Sequence, residues 1–520
     1  MRNYTAVAAL LISAAAHAQT NSAWQTVGAP AFSEWATICS RIASDANGNV
    51  YVAYQDLTPG LGARVTVKKR VGDTWQLAGA QGAGSIGAGY YCNMAFDASG
   101  ALLVASRDYG LLARAGVRRY DPASNTWSSF GVNGMGPGEA HYVDLVQLHN
   151  GRSAVVYQDG GFGNRSTAMA FAAGVWSPLG APGYSAAGAG FQRITAAPDG
   201  TIYTAYSDGS FPDASNIGKA SVLRYDPTSS TWSYVGTPGF TPQGASNLTL
   251  TIDRTGVPWI AYYRYHDAIV VQRFDGTNWV TAGDSPCGAD VPTIDSEEWR
   301  QWLSLQFDSQ NRPYIAYQLY FNGRKACVRR LDGSEWLSVG QWGFTPGAAD
   351  YLSMIVDAQD VPWVAYRDGA NGQRVSVMRY VPVSESYCIS TQNSVGCFAT
   401  ISSTGAPSLT GVTPFSIRAG NVINQSLGML VYSSQSVAQP FGSGTLCVGN
   451  LRRAGTTNSG GAVGAPNCTG FLQYDFGAGL SSGLPGVWFG TTLYAQFWYR
   501  DSTSASGYAL TNGLRFVVGQ

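Results

Sequence analysis

Once the first 18 residues are set aside, histidine is rare in this chain: only His141, His149 and His266 remain. The dipeptide His141-Tyr142 is followed by Arg193 at a comparable place one repeat later. A His or Tyr base beside an arginine that neutralises a uronate carboxylate would suit cleavage of an acidic polysaccharide. An ordinary surface histidine is the simpler reading. The segment DSEEWRQW (295–302) offers a second acid–base candidate in Glu297 and Glu298. Adjacent residues on an extended strand point apart, so these two cannot form a facing pair.

Aromatic residues recur with polar ones between them. Tyr91, Trp302 and Tyr351 each stand six residues before the turn position of a repeat, with Asn247 in the matching place and Tyr142, Phe191 and Trp35 as nearby equivalents. Arg41, Asn93, Asp144 and Arg193 are interspersed. Rings that stack on sugars and polar groups that bind hydroxyls make Trp35, Arg41, Tyr91, Asn93, Tyr142, Asp144, Arg193, Trp302 and Tyr351 the candidate ligand-binding set. Packing about an axis is the competing reading. A third set is Asp56, Asp108, Asp159, Asp208 and Asp368, each ending the same strand of its repeat. These are either carboxylates for a cation, calcium being the candidate, or turn caps accepting backbone N–H groups. Repetition favours caps, because a catalytic residue need occur only once.

The elements that must position these residues form a repeat. The sentence DANGNVYVAYQD (from Asp45) is written seven times with variations, ending in DAQDVPWVAYRD (from Asp357). Beside it a Trp stands four residues before a Gly, at Trp24/Gly28, Trp75/Gly79, Trp127/Gly131, Trp176/Gly180, Trp232/Gly236, Trp279/Gly283 and Trp336/Gly340. A period of about 50 residues holding four strands indicates a β-propeller. The two motifs are out of phase: the chain opens on an orphan fourth strand and its last repeat stops after three. The orphan is therefore expected to complete the last repeat. This predicts an all-β chain, with a seven-bladed β-propeller over 19–383 followed by a small β-sandwich over 384–520. The short turns share one face and the long loops, such as 207–220 and 283–301, share the other. Any site is expected on the long-loop face, around the central channel.

The turns YDPASNTW (120–127) and YDPTSSTW (225–232) resemble those of kelch repeats. The repeat as a whole resembles one common in secreted bacterial proteins. After residue 383 the composition shifts to Ser, Thr, Gly and Asn. The segments YCISTQNSVGC, GTLCVGNLRR and AQFWYRD…LTNGLRFVVG resemble a C-terminal module of secreted planctomycete proteins, which implies an exported or surface-associated accessory role.

Composition sets the limits. Charged residues are 12% of the 520, with 32 basic and 32 acidic side chains, so no basic stripe exists to bind nucleic acid. Arg2, the apolar stretch 6–15 and Ala16-His17-Ala18 read as a signal peptide over 1–18, and no further stretch reads as transmembrane. Eight Cys in an exported chain favour disulfides, expected between sequence neighbours: Cys39–Cys92, Cys287–Cys327, Cys388–Cys397 and Cys447–Cys468. No G-x-S-x-G elbow, P-loop, H-E-x-x-H or EF-hand loop occurs. The expectation is a secreted, monomeric, non-catalytic protein without a cofactor that binds a glycan or a surface protein. The alternative is a secreted polysaccharide lyase or glycosidase.

Overall fold

The computed structural model describes residues 24–518, apart from 133, 150, 265–267, 284–301, 320–321, 382–383, 406, 408, 410–413, 443 and 488–490. The expected signal segment, Cys287, Glu297 and Glu298 lie outside the described residues. The chain divides into two units, Trp24–Tyr380 and the part from Val381 onward.

Among the described residues the first unit holds seven four-stranded antiparallel sheets, at 37–77, 89–129, 140–178, 189–234, 245–281, 304–338 and 349–380, numbered one to seven below. The seventh takes its fourth strand from the start of the chain, with Trp24 opposite Tyr380. The first strands of neighbouring sheets touch in an unbroken ring, the seventh against the first. The fold is a β-propeller.

Burial follows from that ring. The second strand of each sheet is covered on both faces by its neighbours, so it reads as a continuous apolar run. Val50–Asp56 is buried at every position. Tyr54, Tyr157, Tyr206, Tyr262, Tyr317 and Tyr366 are buried on these strands. The cores lie between sheets: one joins Tyr314, Ala316 and Val328 of sheet six to Leu352, Met354 and Val364 of sheet seven.

The Trp–Gly spacing now has a cause. Each Trp Nε1 donates to the carbonyl just before the motif glycine of the preceding sheet: Trp75 to Val27, Trp127 to Ala78, Trp176 to Phe130, Trp232 to Leu179, Trp279 to Val235, Trp336 to Ala282 and Trp24 to Val339, all at 2.7–2.9 Å. The glycine is required because the indole lies against it. A Cβ on Gly79 would sit 2.5 Å from Trp127 Cδ1, and Gly79 has φ +79°. The motif is thus a lock between sheets and not within one.

The second unit has a six-stranded sheet, containing Leu427–Ser433, Thr492–Arg500 and Gly513–Val517, and a three-stranded sheet of Thr400–Gly405, Phe415–Val422 and Gly470–Asp475. Both feed one core: Phe415, Ile417 and Leu472 from the smaller sheet, Leu430, Phe497 and Phe516 from the larger. Its disulfides are Cys388–Cys447 and Cys397–Cys468. The expected Cys388–Cys397 and Cys447–Cys468 bonds are therefore wrong. Antiparallel pairing brings remote segments together. The Tyr387 hydroxyl donates to the Cys447 carbonyl, which holds Gly444–Val448 beside Cys388. Cys397 closes a turn in which Asn393 Oδ1 accepts from the Val395 and Cys397 amides at 3.1 and 2.9 Å. No helix among the described residues is long and apolar enough to cross a membrane.

Candidate functional site

Among the described residues, six first strands carry a β-bulge at the same place. Register breaks between Ile38 and Arg41, Tyr90 and Asn93, His141 and Asp144, Gly190 and Arg193, Ser246 and Thr249, and Asp350 and Ser353. Each bulge holds one non-glycine residue in the left-handed region: Cys39, Tyr91, Tyr142, Phe191, Asn247 and Tyr351, with φ between 47° and 57°. That conformation costs on the order of 1 kcal/mol per residue, and bulges re-aim side chains beside sites. All six stand six residues before the repeat's turn position, as does Trp302 in sheet six.

The bulges gather the aromatic set. Tyr142 packs 5.0 Å from both Tyr91 and Phe191, centroid to centroid. Trp302 meets Tyr351 edge-on at 5.5 Å. The Arg41 guanidinium lies 3.6 Å over the Trp302 ring. Trp35 does not join them: it is half exposed in the preceding loop, and Cys39 fills the ring position of sheet one. Cys39 was legible from spacing, since it too precedes its turn Asp by six residues, but a search for aromatics passes over it.

Two residues beyond the ring of bulge residues and Trp302, several side chains stitch sheets together. Asp144 Oδ2 accepts from the Ile194 amide at 2.9 Å, Ser353 Oγ from Ile42 at 3.4 Å and Ser304 Oγ from Met354 at 3.1 Å. Each acceptor serves the next sheet around the ring. Asn93 Nδ2 donates to Asp144 Oδ1. Asn93 and Asp144 therefore act in the wall of the channel. Arg41 and Arg193 occupy the same position but donate only to their own neighbouring carbonyls, Ser40 at 3.3 Å and Gln192 at 2.8 Å.

His141 turns to a different network. Arg107 Nη1 lies 3.1 Å from His141 Nδ1, and Arg107 Nη2 donates to Glu139 at 2.6 Å. An arginine can only donate, so His141 Nδ1 accepts and its proton sits on Nε2, 3.8 Å from Glu139. Burial, then the Arg107 charge, hold the imidazole below its ordinary value, against Glu139. Tyr142 is pushed up by burial although Arg193 pulls it down, so its phenol stays protonated at neutral pH. Burial, then the Arg41 charge, lower Arg193 to about 10 despite Asp144. Tyr142 and Arg193 thus share a field, while His141 answers to Arg107 and Glu139.

The strand-end aspartates cap loops. Asp108 accepts from the Ile86, Gly87 and Gly110 amides at 2.6–2.8 Å. Asp56 accepts from Thr58, Thr66 and Gln81. Asp159, Asp208 and Asp368 accept from Gly161, Ser210 and Ala370 amides respectively. Among the described residues no group of three or more His, Cys, Asp or Glu is placed to hold a metal ion.

Cys39 and Cys92 lie on the first strands of sheets one and two with their Sγ atoms 2.8 Å apart and no bond between them. Cys327 is buried, and its expected partner Cys287 is outside the described residues.

No family model and no curated protein matches the chain. Among solved structures it is similar to the BP39L lectin of Burkholderia pseudomallei, at 13% identity over 66% of this chain and 95% of that one, with a TM-score of 0.44. It is similar to a polysaccharide lyase, the ulvan lyase of family PL25, at 13% identity over 68% and 95%, TM-score 0.42. The Aleuria aurantia lectin is 16% identical over 58% and 94%, TM-score 0.38. Likeness at these scores carries no argument about ligand or reaction.

Proposed function

We propose that the propeller, read as seven blades, is an exported binding module that takes a glycan at its channel mouth. The observation that carries this is the ring of bulges. The backbone device repeats from sheet to sheet, while the side chain it presents changes: Tyr, Tyr, Phe and Tyr in four sheets, Cys and Asn in two. A purely structural device would repeat its residue as the Trp–Gly lock does. Variable aromatic and polar groups on a strained, rigid frame suit sugar rings and hydroxyls. The chain from Val381 onward, with two disulfides, is read as a sandwich-type accessory module, and the opening segment as removed on export.

The lyase reading has less support. It needs a free base beside Arg193, and His141 is engaged by Arg107 and Glu139 while Tyr142 keeps its proton. Binding to a surface protein is the other outcome the test distinguishes.

The test is a glycan-array screen of the purified mature chain, alongside an ultraviolet assay for unsaturated products on uronate polymers. Binding to a defined glycan set without turnover is expected, with loss in Tyr142→Ala. No bound glycan on a broad array, or turnover abolished by Tyr142→Phe, would sink the reading.

A further inference from the structure

Two residues past the bulge, Arg41 and Arg193 are the charged residues that make no hydrogen bond to a neighbouring sheet among the described residues. Asp144, Ser304 and Ser353 spend their oxygens on the next sheet's backbone. Among the described residues neither guanidinium donates to a neighbouring sheet's backbone, though Arg41 packs on the Trp302 ring of sheet six. Neither makes an ion pair with a carboxylate within 4.0 Å among the described residues; the nearest candidate, Asp144, is held by the Asn93 amide and the Ile194 N–H.

Their placement on the ring matters. Arg41 and Arg193 stand at the same register position of sheets one and four, each just past the bulge of a first strand, and the first strands form the closed ring of contacts. Arg41 extends from sheet one past sheet seven to lie over Trp302 of sheet six. Arg193 is sunk among protein atoms and keeps partial exposure. Burial of Arg193 and the Arg41 charge cost stability that Asp144 offsets only in part.

We infer that the channel takes an anionic ligand, a carboxylate or sulfate carried on a sugar, held between the Arg41 and Arg193 guanidinium groups with the aromatic ring around its apolar faces. This rests on the glycan reading above and narrows it to acidic glycans. A planar guanidinium binds a carboxylate or sulfate through paired N–H donors, and Trp302 fixes the plane of Arg41. The same arrangement gives neutral sugars nothing to neutralise the charge.

The test compares binding of a uronate oligosaccharide, a sulfated oligosaccharide and a neutral oligosaccharide of equal length by calorimetry, at two salt concentrations, for the wild type, Arg41→Gln and Arg193→Gln. One or both acidic ligands should bind at least tenfold more tightly than the neutral one, less tightly at high salt, and each substitution should remove that preference. The two acidic arms separate carboxylate from sulfate. Because burial of Arg193 costs stability, Arg193→Gln should melt no lower than the wild type, and Arg193→Lys should keep part of the preference. Equal binding of neutral and acidic sugars, unchanged in both variants, would overturn the inference and leave the glycan reading standing. If no oligosaccharide binds, the glycan reading fails. Inorganic sulfate is then titrated: a rise in melting temperature in the wild type alone supports the anion site, and no rise in any form overturns it as well.

Discussion

The indole of Trp24 donates its Nε1 hydrogen to the carbonyl of Val339, 2.8 Å away in space and 315 residues on in sequence. Its ring stacks 3.9 Å from Phe344, nearly parallel. This contact locks the first-synthesised strand of the propeller onto sheet six and so fixes the fourth strand of sheet seven. Trp24→Ala removes the stack, the hydrogen bond and a buried side chain together. Large aromatic truncations in a core cost about 3–5 kcal/mol. Denaturant titration should show a loss of that size, whereas a loss under about 1 kcal/mol would mean the ring closes without this strand.

The strand-end aspartates predict indifference to metal removal. Apart from Asp159 Oδ2, which is buried without a partner, their oxygens accept mostly from loop amides and hydroxyls, so a cation would have to displace bonds already made. Melting curves with calcium and with a chelator should superimpose. A clear rise in melting temperature with calcium would turn these caps into ligands.

His141 gives a pH signature. Burial and Arg107 hold its folded-state value below 6.5, the ordinary one. As pH falls through 6.5 the unfolded chain takes up the proton first, so stability contributed by the neutral ring is full above that value. It is lost as pH drops towards the folded value. The melting temperatures of wild type and His141→Gln should therefore converge or cross as the solution is acidified, with Arg107 and Glu139 left in place. Parallel curves on both sides of 6.5 would show that the ring titrates as if free.

Cys39 and Cys92 face each other across sheets one and two. Burial raises the Cys39 thiol, but the Cys92 hydrogen bond and the Arg41 and Arg193 charges outweigh it, and Cys92 is held well up by burial. With oxidised glutathione as oxidant, the two thiols should close to a disulfide, two molecules of reduced glutathione leaving. Peptide mapping without reductant should recover Cys39 linked to Cys92. Two alkylatable thiols there after oxidation would show that the pair stays open.

Much of the fold is legible in the sequence because a repeat states it seven times. The period of the Asp turns and Trp–Gly pairs implies four-stranded units, and the phase offset between them implies that Trp24 belongs with the last repeat. What the lock connects is not legible, since nothing local says that Trp127 lies on Gly79 of the sheet before it. Part of the site is legible too. Tyr91, Tyr142, Trp302 and Tyr351 follow from spacing, but the bulge that turns Tyr91, Tyr142 and Tyr351 does not, because their side chains differ in no way that marks it. Cys388 and Cys397 mislead for a related reason: nine residues apart in the chain, each is bonded to a cysteine remote in sequence, 59 and 71 residues on.

The most direct measurement is calorimetric titration of the tightest array-selected glycan into the wild type, Trp302→Ala and Trp342→Ala. Trp302 stands at the channel mouth under Arg41, whereas Trp342 is exposed and packs against Arg329 of an outer strand. The channel-mouth account predicts that Trp302→Ala weakens binding about tenfold or more, near 1.4 kcal/mol, while Trp342→Ala leaves it unchanged. Full affinity in Trp302→Ala, or loss only in Trp342→Ala, would contradict it and move the site away from the ring.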